Sequence, residues 1–79
     1  MNIGSKVKFK PSYYECTSQW KTPFGIIFLY TFIDFSGNIF IWKTSKNLPD
    51  NVSTISGTIK DILIYNTKQE FELTYCKIT

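Results

Sequence analysis

Apolar and polar side chains alternate along most of this chain, and a period of two predicts strands rather than helices. Val7 and Phe9 alternate with Lys6, Lys8 and Lys10 in a first strand expected over about Ser5 to Cys16. Pro11 should break or bend it, because proline donates no hydrogen bond to a ladder. Ile26–Asp34 and Asn38–Ser45 form a second and third strand around the turn Asp34-Phe35-Ser36-Gly37. Asp34 stands where a type I turn places its first residue, and Gly37 where the following bulge needs a positive φ. With Phe35, Ser36 and Gly37 as the loop, Asp34 faces Asn38, Phe32 faces Phe40 and Tyr30 faces Trp42. One face of the hairpin then carries Phe28, Tyr30, Phe32, Phe40, Trp42 and Thr44. The other carries Ile27, Leu29, Thr31, Ile33, Ile39, Ile41 and Lys43. A short loop through Lys46–Asn51 leads to a fourth strand, Val52–Tyr65, interrupted at Gly57. After a turn at Asn66–Gln69, a fifth strand runs over Glu70–Ile78.

Composition agrees with this reading. Seven Phe, five Tyr and two Trp occur in 79 residues, and alanine is absent. That mix disfavours helices and suits strands, in a length that makes one small domain. Five short strands, a bent first strand and a mid-strand glycine predict a small closed barrel, since closure removes exposed edges. The candidates are a five-stranded OB barrel and an SH3-like barrel. The long first strand, the tight second hairpin and the glycine in strand four favour an all-β, OB-fold-like arrangement with little or no helix.

Nine cations against six acids give a net charge of +3, and every cation is lysine. Without arginine, bidentate reading of guanine edges in a duplex is disfavoured, while lysines still attract phosphates as point charges. No apolar run is long enough for a membrane span, and the N-terminus has no signal-peptide apolar core, so a cytoplasmic protein is expected. Cys16 and Cys76 have neither a CxxC spacing nor a histidine beside them, which predicts free thiols and no zinc site. The carboxylates suggest no acid/base dyad, and no glycine loop cradles a phosphate. A binding protein without cofactor is expected rather than an enzyme.

Two stretches resemble a known family. The first comprises Phe24-Gly25, Tyr30-Thr31-Phe32, Asp34, Gly37-Asn38 and Phe40-Ile41-Trp42-Lys43-Thr44-Ser45. The second comprises Ser56-Gly57-Thr58-Ile59-Lys60-Asp61, Tyr65, Lys68-Gln69, Leu73 and Cys76-Lys77-Ile78. Together they resemble small OB-fold modules of replication proteins in phages and mobile elements of Gram-positive bacteria. Three positions depart from that pattern: Tyr75 stands for an arginine, Thr67 for a turn glycine and Glu70 for a threonine. The resemblance implies single-stranded DNA binding, or an accessory role beside a primase, polymerase or helicase.

OB barrels present the outer face of strands two and three to single strands, flanked by the first-to-second and fourth-to-fifth loops. Aliphatic side chains pack small barrels readily, and the aromatic face also carries Asp34, Asn38 and Thr44. Tyr30, Phe32, Phe40 and Trp42 are therefore expected to face outward as stacking platforms, each base contributing roughly 1–3 kcal/mol. The reverse arrangement puts the aromatics in the core and leaves Lys43 and the isoleucines looking out. It avoids a large sticky patch. Trp20, Lys21 and Phe24 would form one lip of the site, Tyr65 and Lys68 the other, with Lys43 and Lys8 contacting phosphates.

Overall fold

The turn that opens the chain's central hairpin forms as its residues dictate. The computed structural model describes residues 1–79. In it the Asp34 carbonyl accepts from the Gly37 amide at 3.1 Å, and the Asp34 amide donates to the Asn38 carbonyl at 3.1 Å. The Asp34 carboxylate accepts from the Ser36 amide at 2.9 Å, the Asn38 amide at 2.8 Å and the Asn38 side-chain Nδ2 at 2.9 Å. Gly37 has φ 87°, a conformation that costs a side-chain-bearing residue. This turn fixes the register expected from the sequence: Phe32 opposite Phe40, and Tyr30 opposite Trp42.

Six strands form around it: β1 (Lys6–Phe9), β2 (Pro11–Thr22), β3 (Gly25–Asp34), β4 (Ile39–Thr44), β5 (Ile55–Tyr65) and β6 (Lys68–Ile78). They make one sheet in the order β1-β5-β6-β4-β3-β2. Only β4 and β6 run parallel; every other neighbouring pair is antiparallel. The chain is all-β, with no helix, but the five-stranded closed barrel expected from the sequence is not what forms. The expected first strand divides at Lys10, and β2 begins at Pro11 and runs on to Thr22. A proline is tolerated as the first residue of a strand because its missing N–H falls where the ladder has not begun. The two pieces then pair with different partners, β1 with β5 and β2 with β3. They occupy the two ends of the strand order, no ladder joins them, and the sheet is not closed.

The faces of the hairpin are reversed from expectation. Tyr30, Phe32, Phe40 and Trp42 form the core with Ile55, Ile59, Phe71 and Leu73, and Phe32 and Trp42 are only 0% and 8% exposed. They cannot stack a ligand without unfolding the sheet. The reason lies in the neighbours. In the parallel ladder Phe40 stands opposite Phe71 and Trp42 opposite Leu73, whereas Ile39 and Ile41 stand opposite Glu70 and Glu72. Partners in register share a face, so turning the aromatics outward would carry Glu70, Glu72 and Lys43 inward. Burying those charges unpaired costs far more than leaving Ile33 and Ile39 half covered. The aromatics also fill more space: Phe9 stacks on Phe40 at a centroid distance of 4.3 Å, and Tyr14 on Phe32 at 5.6 Å.

Tyr30 in the core and the half-buried Tyr14 beside it reach polar partners that hold the β4–β5 loop across the sheet. The Tyr30 hydroxyl donates to Asn47 Oδ1 at 3.1 Å and accepts from the Leu48 amide at 3.0 Å. The Tyr14 hydroxyl donates to the Pro49 carbonyl and accepts from the Val52 amide at 3.1 Å. Buried hydroxyls need such partners, and here they tie a loop of polar sequence to the core.

Two outcomes follow from this packing. Trp42→Ala should lower unfolding stability by about 3–5 kcal/mol, read by urea denaturation, since Trp42 is core rather than a surface platform. Burial works to raise the Asp34 carboxyl, but the hydrogen bonds from the Asn38 side chain and the Asn38, Ser36 and Gly37 amides outweigh it and hold it below its ordinary value. A lowered folded value stabilises the turn above the unfolded carboxyl value of about 3.9, and that stability is lost as pH falls through the folded value. Asp34→Ala should therefore be less stable than the parent at pH 7 by on the order of 2 kcal/mol. The gap between their thermal midpoints should narrow as the pH drops below about 3.9.

Candidate nucleic-acid interface

The residues proposed from sequence as a single-strand site separate into five places, two of them holding Lys43 and Lys8 alone. Tyr30, Phe32, Phe40 and Trp42 are in the core. Trp20, Lys21 and Phe24 lie on the β2–β3 hairpin, which extends beyond the Phe28–Thr44 pair, the last rung shared with β4. Phe24 sits at its tip, 98% exposed. Thr22 Oγ1 shapes that tip by accepting from the Phe24 amide at 3.2 Å and donating to the Gly25 carbonyl at 2.8 Å. Tyr65 and Lys68 are opposite partners at the base of the β5–β6 turn. Asn66 and Thr67 occupy that turn with φ 50° and 64°, as a two-residue type I′ hairpin requires. The two turns stand at opposite ends of β4, because β6 enters beside Ile39 while the β2–β3 arm leaves beyond Thr44. They bracket the outer face of β3 and β4 rather than meeting.

That outer face is aliphatic and acidic. One row across the sheet reads Ile33, Ile39, Glu70 and Leu63, and the next reads Thr31, Ile41, Glu72 and Asp61. Glu15 continues the second row on β2, opposite Thr31. Glu15 also accepts a 2.7 Å hydrogen bond from the Tyr13 hydroxyl, and this bond raises the Tyr13 phenol above its ordinary value. Lys43 adds a cation, but its Nζ lies 4.0 Å from Glu72, and Lys60 Nζ lies 3.9 Å from the same carboxylate. Glu72 is buried and met by both lysines, which leaves Glu15, Asp61 and Glu70 as the carboxylates that oppose the approach of a phosphate chain.

The free cations lie elsewhere on the sheet. Across β1, β5 and the end of β6 the rows read Lys8, Ser56, Lys77 and Lys6, Thr58, Thr74. Lys6, Lys8, Ser56, Thr58 and Lys77 line an open groove of about 430 Å³, with Val7, Gly57 and Tyr75. No carboxylate lines it, and none of Lys6, Lys8 and Lys77 is within ion-pair distance of one. Of the residues picked from sequence for binding, only Lys8 is here.

In the sequence Tyr75 stands only as a departure from the family's arginine, and its place in the groove comes from a bulge. Lys77 pairs with Ser56 and Thr74 with Thr58, so Tyr75 and Cys76 together face Gly57. The extra residue turns Tyr75 to φ 54° and aims its ring outward, 85% exposed. The bulge also presses β6 onto β5. A Cβ on Gly57 would lie 2.9 Å from Cys76 Sγ and 3.1 Å from the Thr74 carbonyl oxygen. The glycine that interrupts the strand pattern is the partner this bulge requires. Its neighbour Cys76 is half buried, and burial pushes its thiol up to about 12. Cys76 is therefore a packed, protonated side chain at neutral pH rather than a nucleophile. Cys16 is exposed, and both cysteines are free. No three His, Cys, Asp or Glu side chains gather as a metal cluster.

Comparison with family models, curated proteins and solved structures finds no match to this chain.

Gly57→Ala should lower stability by about 1–3 kcal/mol, the usual range for an overpacked site. The loss should shrink, without vanishing, in a Cys76→Ala background, because the sulfur contact is relieved while the Thr74 carbonyl stays in place. Thermal denaturation of the two single variants and the double variant measures this coupling.

Proposed function

We propose that this protein binds single-stranded nucleic acid, DNA foremost, with little sequence preference, and that it does so across β1, β5 and the end of β6. The observation that carries this reading is the segregation of charge. The groove bearing Lys6, Lys8 and Lys77 has no carboxylate, whereas the outer face of the β3–β4 hairpin has Glu15, Asp61, Glu70 and Glu72 in register around it. A polyanion is steered to the first surface and repelled from the second.

The strand order supports the same reading. Taken as one strand bent at Lys10, β1 and β2 flank the other four at both ends of the order. That connectivity, with one parallel pair between β4 and β6, fits an OB-type arrangement, a fold widely used for single strands. With the family resemblance, it suits a cytoplasmic accessory protein in phage or mobile-element replication, acting as a binding protein without enzymatic chemistry. Phosphates would be met by lysines rather than by base-reading arginines, which suits binding without sequence preference.

A second reading rests on the β2–β3 arm. Phe24 at the tip, and Trp20 and Ile26 on its two faces, are exposed on this extension. Such a tip suits docking on a replication protein such as a primase, polymerase or helicase. Under it the basic groove has no necessary role.

Anisotropy of a fluorescein-labelled thymidine oligomer, titrated over a salt series, separates the two. Contacts from three lysines predict a slope of log K against log salt near −2, at roughly 0.7 per phosphate for single strands. Lys8→Gln and Lys77→Gln should each reduce its magnitude by about 0.7. Absence of saturable binding, or a slope near zero, removes the nucleic-acid reading.

A further inference from the structure

Tyr75 is the least economical residue in the sheet. Its φ of 54° lies in the left-handed region, which glycine and asparagine enter readily and which costs an aromatic residue. Its ring gains almost no burial in return, being 85% exposed. A bulge of this type ordinarily places glycine at that position. Strain held in an ordered strand without a packing gain points from the outlier to a function.

The ring's surroundings identify what it would meet. It lies on the groove shared with Lys6, Lys8 and Lys77, where Ser56 and Thr58 add two hydroxyls. The groove's volume, about 430 Å³, falls in the range of roughly 300–1,000 Å³ typical of small-ligand sites. It holds one flat surface, three unpaired cations and no acid.

We propose that Tyr75 is a base-stacking platform, and that the groove is a subsite for one nucleotide of a single strand. The base lies on the Tyr75 ring, and the flanking phosphates lie on Lys6, Lys8 and Lys77. This rests on the single-strand reading above and gives it a specific contact. The β-bulge opposite Gly57 is then the device that presents the ring, and its strain is retained because a glycine there would present nothing. The hydroxyl is incidental: stacking uses the face of the ring, which phenylalanine supplies equally.

The test is a cycle between this ring and the bases. Two labelled oligomers of equal length are titrated, one of thymidine and one abasic, which keeps the phosphates and has no bases. Tyr75→Gly should weaken thymidine binding by on the order of 10-fold, the lower part of the range for one stacked base. It should leave abasic binding within twofold, and it should raise the thermal midpoint by a few degrees as the strain is released. Tyr75→Phe should keep the parent's affinity for both oligomers. Tyr75→Asn, whose backbone also tolerates this φ, should repeat the loss and guards against a folding defect specific to glycine. If Tyr75→Gly binds thymidine like the parent, or loses thymidine and abasic binding equally, the stacking subsite is wrong. If the parent binds neither oligomer, the broader single-strand reading has failed instead.

Discussion

The carboxylate of Asp34 sets the register on which the rest of the sheet depends. It takes three hydrogen bonds within its own turn, and so determines which residues of β3 and β4 share a face. A slip of one residue would move Lys43 into the interior and turn Phe40 and Trp42 out. With the register held, β6 lays Phe71 and Leu73 beside Phe40 and Trp42, and β1 brings Phe9 onto Phe40. The core is the consequence of one turn repeated across neighbouring strands.

Much of this was readable in the sequence, because turn chemistry is local. Asp34 and Gly37 gave the hairpin register; Pro11 marked the break in the first stretch; Gly57 marked the irregularity in β5. Alternation alone divides a strand into two faces without saying which is inside, and the aromatic face expected outward is the one that forms the core. The deciding signal lies in Lys43 and Glu70, charges that alternate with the apolar residues and stay accessible to water, and in Glu72, which is covered but paired with Lys43 and Lys60. It required knowing that β6 lies beside β4 in parallel, a pairing between distant segments that no local pattern specifies. Tyr75 was hidden for a related reason. Its left-handed backbone arises from a register mismatch between β5 and β6, so nothing in the local sequence of β6 announces it.

The functional picture turns on where charge and strain are left over once the fold is satisfied. Thr67 also sits at a positive φ, but in a two-residue turn whose geometry demands one there, and its strain has a structural cause. Tyr75 lies within a strand, beside three lysines that no carboxylate neutralises. The half-covered Ile33 and Ile39 of the outer β3–β4 face are accounted for by the packing of the aromatics. Lysines and an unpacked ring concentrated on one groove are not required by the core.

Amide chemical shifts followed by NMR during titration with a thymidine oligomer test this placement most directly. The groove reading predicts that the largest changes fall on Lys6–Lys8, Ser56–Thr58 and Tyr75–Lys77, with Ile39–Lys43 nearly unmoved. Changes centred on Ile39–Lys43 and the outer face of β3, with the groove silent, would contradict it.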